Sequence, residues 1–339
     1  MAKKTLHTQK SAIDGPSVNP KFQAGKRPAW SVEELERAIL KGDRAALAAG
    51  ITLVESEAAE DTVKAGTLLE KLLPHAGNSV RLGISGVPGV GKSTFLESYG
   101  VHYLELNEEA RLAVLAIDPS SSRSQGAILG DKTRMVELGR HERAFIRPTA
   151  SSGALGGVAR ATKAAIVLCE AAGYTHVFVE TVGVGQSETA VSQMVDAFLF
   201  LAMPGTGDEL QGIKKGIMEM ADLIAINKSE GDNAPAAKRT RVELQRALQF
   251  STRNEFNWTP KITLISALEC QGFKELDGAI DQCIRHSRGQ GWFKEKRRRQ
   301  AEYWFEVEVK HSLRNLLQQH SVLQAEYDAL RVQVGQSEL

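Results

Sequence analysis

The sequence predicts an α/β fold: a mostly parallel sheet flanked by helices, with a helical segment ahead of it and a helical arm behind it. Three observations predict this. Short apolar, β-branched runs alternate with helical stretches between residues 80 and 265, the pattern of repeated strand–helix–strand units. Residues 31–75 carry helical spacing and no strand signal. Residues 292–333 lack strand alternation and contain neither Pro nor Gly.

In chain order, residues 1–30 read as a flexible tail. They hold six basic residues (Lys3, Lys4, Lys10, Lys21, Lys26, Arg27) against Asp14 as the only acid. That charge resembles an organellar transit peptide, but a single Arg and no amphipathic helix favour a bacterial tail. Residues 31–78 form the N-terminal helical segment. Ser31 and Glu34 have the spacing of a capping box, and further helices are expected over 43–56 and 60–73, the latter on Val63, Leu68, Leu69, Leu72 and Leu73. Residues 79–289 form the α/β domain, with strands at 80–85, 112–117, 144–147, 176–179, 197–201, 223–226 and 261–265. Several runs end on a polar residue: Asp118, Glu180, Asn227 and Ser266. Ligands of open α/β sheets bind at the carboxyl ends of the strands, so these side chains are expected at one edge. Residues 290–339 form the C-terminal arm. There Phe305, Val309, Leu313 and Leu316 make a helical stripe with no core left to join, and Lys294–Arg299 reads as a solvated helix face.

Composition narrows the function. With 339 residues the chain needs no metal or disulfide to fold. Lys and Arg exceed Asp and Glu by 42 − 41 = 1, unlike the strongly basic surface of a nucleic-acid binder. No apolar run reaches the 18 residues of a membrane span. Three cysteines, Cys169, Cys270 and Cys283, fit a reducing compartment better than a disulfide framework.

The strongest motif is Gly86, Val87, Pro88, Gly89, Val90, Gly91, Lys92 and Ser93, followed by Thr94. It matches G-x-x-x-x-G-K-[ST] between a strand and a helix, the context of a phosphate-binding loop. Backbone N–H groups cradle phosphate oxygens, Lys92 brings charge to the β/γ-phosphates, and the Ser93 hydroxyl goes to Mg²⁺. The second motif, Asn227-Lys228-Ser229-Glu230, resembles the N-K-x-D element that reads guanine, with Glu in place of Asp. A carboxylate there accepts from guanine N1–H and its exocyclic amine, a pair adenine cannot make. Asp232 is close enough to compete with Glu230 for that role. Ser266, Ala267 and Leu268 resemble the loop that backs the base. A third group, Asp118, Asp131 and Glu180, offers carboxylates near Mg²⁺, which prefers few protein oxygens beside phosphate and water. Glu180 has the place of a Walker B acid, with Gly183 positioned for the γ-phosphate. Together these imply a P-loop GTPase fold.

The stretches VPGVGKST, AIDPSSSRSQGAILGDKTRM, IRPTASSGALGGV, VETVGVGQSE, PGTGDELQGIKKGI and INKSEGDN resemble the MeaB/ArgK GTPases, over about residues 32–310. The resemblance implies a Mg²⁺-dependent, GTP-hydrolysing homodimer. It would serve an adenosylcobalamin-dependent acyl-CoA mutase, above all methylmalonyl-CoA mutase, gating cofactor loading, protection and reactivation. The mutase, not this chain, would hold the adenosylcobalamin. It further implies switch regions at 118–134, 180–192 and 203–215, containing Arg134, Gln186, Asp208, Glu209 and Lys214. Lys214, on a Gly-hinged loop, is the expected charge donor when the mutase docks. The compartment implied is the bacterial cytoplasm, or the mitochondrial matrix in a eukaryote. Two rivals remain: a P-loop kinase, for which no acceptor motif is visible, and a nickel or zinc metallochaperone GTPase. For the second, Cys283 and His286 are the only close Cys/His pair, too few to fill a tetrahedral shell.

Overall fold

The computed structural model describes residues 30–118, 135–150, 155–181, 187–205, 220–249 and 257–335. Three helices come first: α1 (Val32–Leu40), α2 (Arg44–Glu55) and α3 (Ala59–Leu72). Asp43 starts α2 as an N-cap, its Oδ1 accepting from Ala46 N at 2.8 Å, which satisfies one of the free N–H groups of the first turn. Leu35, Ile39, Leu47, Ile51, Leu68 and Leu72 bury one face of the trio.

The sheet and its helices follow: β1 (Val80–Gly86), α4 (Lys92–Leu106), β2 (Leu112–Asp118), α5 (Val136–Arg140), β3 (Ala144–Ala150), α6 (Leu155–Ala171), β4 (His176–Thr181), α7 (Ser187–Ser192), β5 (Ala197–Ala202), β6 (Leu223–Ile226), α8 (Ala234–Gln249), β7 (Lys261–Leu264) and α9 (Phe273–Gly289). All seven expected strands form. They pair in parallel in the order β3-β2-β4-β1-β5-β6-β7. The apolar runs are continuous rather than alternating because helices cover both faces; β5 and β6 are buried at every position. The chain leaves β1 toward β2 on one side and later crosses from β4 to β5 on the other. The carboxyl ends of β1 and β4 are therefore the switch point where such sheets bind ligands. Helices α2 and α3 pack on α6, fixing the N-terminal segment to the sheet's outer layer.

Helix α4, which starts from the phosphate-binding loop, is fastened by aromatic packing. Phe95 stacks on Tyr99 with centroids 4.9 Å apart, Tyr99 stacks on Phe178 of β4, and both meet Phe273 of α9 edge-on.

Two helices form the arm: α10 (Trp292–Gln319) and α11 (Ser321–Gly335), broken at His320. Phe305, Val309, Leu313 and Leu316 are exposed, and no residue of α11 is buried. The run Lys294–Arg299 departs from expectation. Arg298 and Arg299 do pair with Glu295 on the solvated side. Arg297 turns inward: its Nε and Nη2 donate to the Asp196 carboxylate at 2.8 and 2.7 Å, Nη2 to Ser79 O at 2.6 Å, and Nη1 to Gly77 O. Lys296 Nζ donates to Asp196 O at 2.9 Å and lies 3.6 Å from Asp222 Oδ2. Gln300 reaches Val195 O, and Trp304 Nε1 reaches Gln193 O, both at 2.8 Å. The root of the arm is thus bolted to the amino-terminal ends of β1, β5 and β6, where its cations meet backbone carbonyls and the acids Asp196 and Asp222. Among the described residues no helix is long and apolar enough to cross a membrane.

Candidate functional site

Strand β1 delivers the chain to Gly86, whose added Cβ would stand 2.6 Å from Leu201 O on β5. Only glycine permits that approach. The loop turns through Val87–Val90, with Val90 N bonded to Val87 O, and Gly91 caps α4 at φ +91°, a left-handed conformation that favours glycine. The N-terminus of α4 therefore points its free N–H groups into the turn, a ready anion site. Lys92 is the first residue of α4, and its Nζ donates to Gly86 O at 3.0 Å, so the amine lies over the loop. Ser93 and Thr94 follow in the same first turn.

Three loops are joined by one buried side chain. Asn227, just beyond β6, donates from Nδ2 to Val90 O at 2.8 Å and accepts at Oδ1 from Ala267 N at 2.9 Å. It links the phosphate loop to the loop after β7. Lys228 sits at φ +57° and its Nζ donates to Gly89 O at 2.8 Å, a strained backbone held by what surrounds it. Ser229 is tied to Ile226 O and, through its own N–H, to Ile265 O. Ser266 is buried and its Oγ accepts from Glu269 N, while a bridge to Gln271 closes the loop. Leu268 is 76% exposed at the tip. Beside this frame Glu230 Oε2 is buried with no hydrogen-bond partner. Asp232, in the turn Gly231–Asn233, is exposed.

On the metal side, Glu180 is 2% exposed near the carboxyl end of β4, in register with Ile84 of β1 and Ala116 of β2. Asp118 closes β2. Next to them runs a hydrogen-bond chain that the sequence did not disclose: Thr181 Oγ1 donates to Ser85 Oγ at 2.9 Å, which donates to the fully buried Glu188 at 3.4 Å. Ser93, Glu180 and the backbone turn supply hard oxygen donors and N–H groups, the donor set that suits Mg²⁺ and phosphate. Gly183, Gln186, Asp131, Arg134, Asp208, Glu209, Lys214 and the side chain of Asp118 lie outside the described residues. Of the segment 203–215 expected to switch, Met203–Gly205 is described, with Gly205 N donating to Thr240 Oγ1 at 3.0 Å.

Two other charged groups escaped the sequence reading. Glu170 takes both Nε and Nη2 of Arg81 at 2.7 and 2.8 Å, Ser79 Oγ at 2.5 Å and Gly77 N at 2.7 Å. Burial alone would raise its carboxyl, but Arg81 with Ser79 and Gly77 holds it below the usual range. Asp222, fully enclosed, is pushed up by burial despite Lys296. The only available signal was an acid directly before an apolar run, as at Asp196 and Asp222, which names no partner. Cys283 is buried and its thiol pushed up by burial, while His286 lies against Trp258 with ring centroids 5.3 Å apart. Among the described residues no three His, Cys, Asp or Glu side chains are grouped to hold a metal.

Comparison with known proteins gives four matches of note. The profile described as "Methylmalonyl Co-A mutase-associated GTPase MeaB" matches residues 47–321. The GTPase ArgK of Escherichia coli K12 is 45% identical over 85% of this chain and 86% of its own length. The mouse protein named "Methylmalonic aciduria type A homolog, mitochondrial" is 46% identical over 80% of this chain and 68% of its own. Among solved structures, one described as an LAO/AO transport system kinase superposes with a TM-score of 0.72 at 37% identity, covering 91% of this chain and 93% of that one.

Proposed function

This chain belongs to the MeaB family of methylmalonyl-CoA mutase-associated GTPases, and on that premise we propose that it hydrolyses GTP and couples hydrolysis to an adenosylcobalamin-dependent acyl-CoA mutase. The observation that carries the nucleotide assignment is Asn227, bonded at once to Val90 of the phosphate loop and Ala267 of the base loop, with an unpartnered Glu230 oxygen beside it. Guanine offers two adjacent N–H donors to such a carboxylate and adenine offers none. Glu230, rather than the exposed Asp232, reads the base. Asn227 and Lys228 hold the phosphate loop in place, and Ser266, Ala267 and Leu268 back the ring.

In the reaction, the N–H groups of Gly86–Ser93 and Lys92 bind the β- and γ-phosphates and take up the charge that develops on them, the main source of catalysis in phosphoryl transfer. Ser93, Asp118, Asp131 and Glu180 would hold Mg²⁺, which when bound neutralises charge on the β- and γ-oxygens. Gly183 follows Glu180 closely enough to donate its N–H to the γ-phosphate. The switch residues Arg134, Gln186, Asp208, Glu209 and Lys214 answer to nucleotide and partner, and Lys214 adds its charge when the mutase docks. The name of the mouse relative supports the mutase as partner. The cofactor stays with the mutase, in whichever compartment the mutase occupies: cytoplasm in a bacterium, mitochondrial matrix in a eukaryote. The exposed stripe of α10 supports a two-fold homodimer that buries it.

The test uses γ-labelled GTP with and without a methylmalonyl-CoA mutase. The expected result is label released as free phosphate, faster with the mutase, and Lys214→Ala loses that stimulation. Label transferred to a protein or small acceptor would instead favour the kinase reading that the name of the solved relative suggests.

A further inference from the structure

A cleft of about 480 Å³ opens between α3, α6 and the root of α10, and no part of the nucleotide reading uses it. Its volume falls in the range of small-molecule sites. Leu69, Leu73, Val167 and Trp304 make its walls apolar. The indole of Trp304 is fixed by its bond to Gln193 O at 2.8 Å.

Two cations of α6, Arg160 and Lys163, share this wall. They are three residues apart on one helix and so lie on one face. Arg160 has Nη1 3.6 Å from Glu308 Oε1, while its Nε is buried with no hydrogen-bond partner. Lys163 borders the ionic cluster at the amino-terminal end of the sheet. There Arg81 pairs with Glu170 and Arg297 with Asp196, so two cations meet two carboxylates. Lys163 adds a third cation beside these pairs, close enough for Glu170 and Asp196 to act on it, and Glu70 lines the same cleft. Among the described residues it has no hydrogen-bonded or ion-paired partner; burial, with Arg81 and Arg297 nearby and opposed by Glu170 and Asp196, lowers its ammonium to about 8. Enclosed cations without partners are costly, and perturbed groups converging on an apolar cleft mark ligand sites.

We propose that this cleft binds a small monocarboxylate with an unbranched or short-branched apolar chain, its carboxylate meeting Lys163 and the exposed part of the Arg160 guanidinium and its chain lying against Trp304 and α3. A carboxylate supplies the hydrogen-bond acceptor that Lys163 lacks, while Glu70 and Glu308, which also line the cleft, oppose a more highly charged phosphate dianion. The apolar walls exclude a ligand that is polar throughout. The site is independent of GTP hydrolysis, so its failure leaves the reading of the nucleotide site untouched.

The experiment is a calorimetric titration of the full-length, GDP-loaded protein with butanoate, hexanoate and octanoate, with octylammonium as the opposite-charge control. Trp304 emission is followed in parallel. Binding should tighten by about fourfold for each methylene added, the value of burying one such group. Octylammonium should not bind, and Trp304→Phe should abolish the emission change. Lys163→Met should bind octanoate at least about tenfold more weakly, the loss expected for one charge-assisted bond, with GTP hydrolysis unchanged as the control for folding. Equal binding of octanoate and octylammonium, absence of octanoate binding, or full affinity in Lys163→Met overturns the proposal. If Lys163→Met does not fold, the contrast between the two ions on the unmodified protein decides.

Discussion

Replacing Glu230 by Ala removes the one carboxylate oxygen left buried and unpartnered beside the base-loop frame. GDP affinity is expected to fall about ten- to hundredfold, the worth of one or two charge-assisted hydrogen bonds, while the weak affinity for ADP stays where it was. Calorimetric titration of both nucleotides checks this, and Asp232→Ala, at an exposed position, should change neither. Lys92→Ala removes charge and a donor from the phosphate loop. Single-turnover hydrolysis is expected to slow by about a hundredfold or more, in line with the loss of a single preorganised donor. Asn227 and Lys92 were legible in the sequence because each lies in a short motif directly after a strand or opening a helix. The choice between Glu230 and Asp232 was not. It depends on the turn Gly231–Asn233, which leaves Asp232 in solvent, and no local pattern encodes that exposure. Ser85, Thr181 and Glu188 were illegible for a related reason: their contact joins residues about a hundred positions apart.

At the scale of elements, the root of α10 is where sequence and structure part. Six consecutive polar residues, Lys294–Arg299, read as a wet surface. Arg297 instead meets Asp196, Ser79 and Gly77, partners 101 to 220 residues away. Such pairing is invisible to helical periodicity, which registers apolar faces and not buried charge. Arg297→Ala would leave Asp196 buried with a lost partner, and an uncompensated buried charge typically costs about 3–5 kcal/mol. Urea titration should report a loss of that order, whereas Arg299→Ala, on the solvated side, should cost under about 1 kcal/mol. The same anchoring decides where the arm can be cut. Truncation after Gly291 removes Lys296, Arg297, Gln300 and Trp304, and the product is expected to unfold. Truncation after Glu308 keeps all four, and light scattering should find a folded monomer in place of the proposed dimer. The central strands β1, β5 and β6, by contrast, were readable, since each is an apolar run in a sheet covered on both faces.

Across the whole molecule, the end of the sheet opposite the phosphate loop is rich in buried ionisable groups, and this links stability to pH. His176, at the start of β4, faces Tyr103, Thr175, Asp281 and Arg288. Burial, aided by Arg288 and opposed by Asp281, lowers its pKa from 6.5 to about 4. The unfolded chain therefore takes up a proton between those values that the folded one refuses, so this residue's contribution is whole above about pH 6.5 and is lost as pH falls toward 4. The melting temperature should drop from pH 7 to pH 5, and His176→Gln should flatten that slope. Further out, α11 has no buried residue. An isolated helix of 15 residues is marginal in water, so within a lone protomer its backbone amides have little to protect them from solvent deuterium. Their exchange should consequently slow as protein concentration rises, while the amides of β5 exchange only on global opening at any concentration. The tip of the arm would then serve as a built-in gauge of assembly, and the concentration at which its exchange is half slowed would report the dissociation constant of the proposed dimer without label or fluorophore.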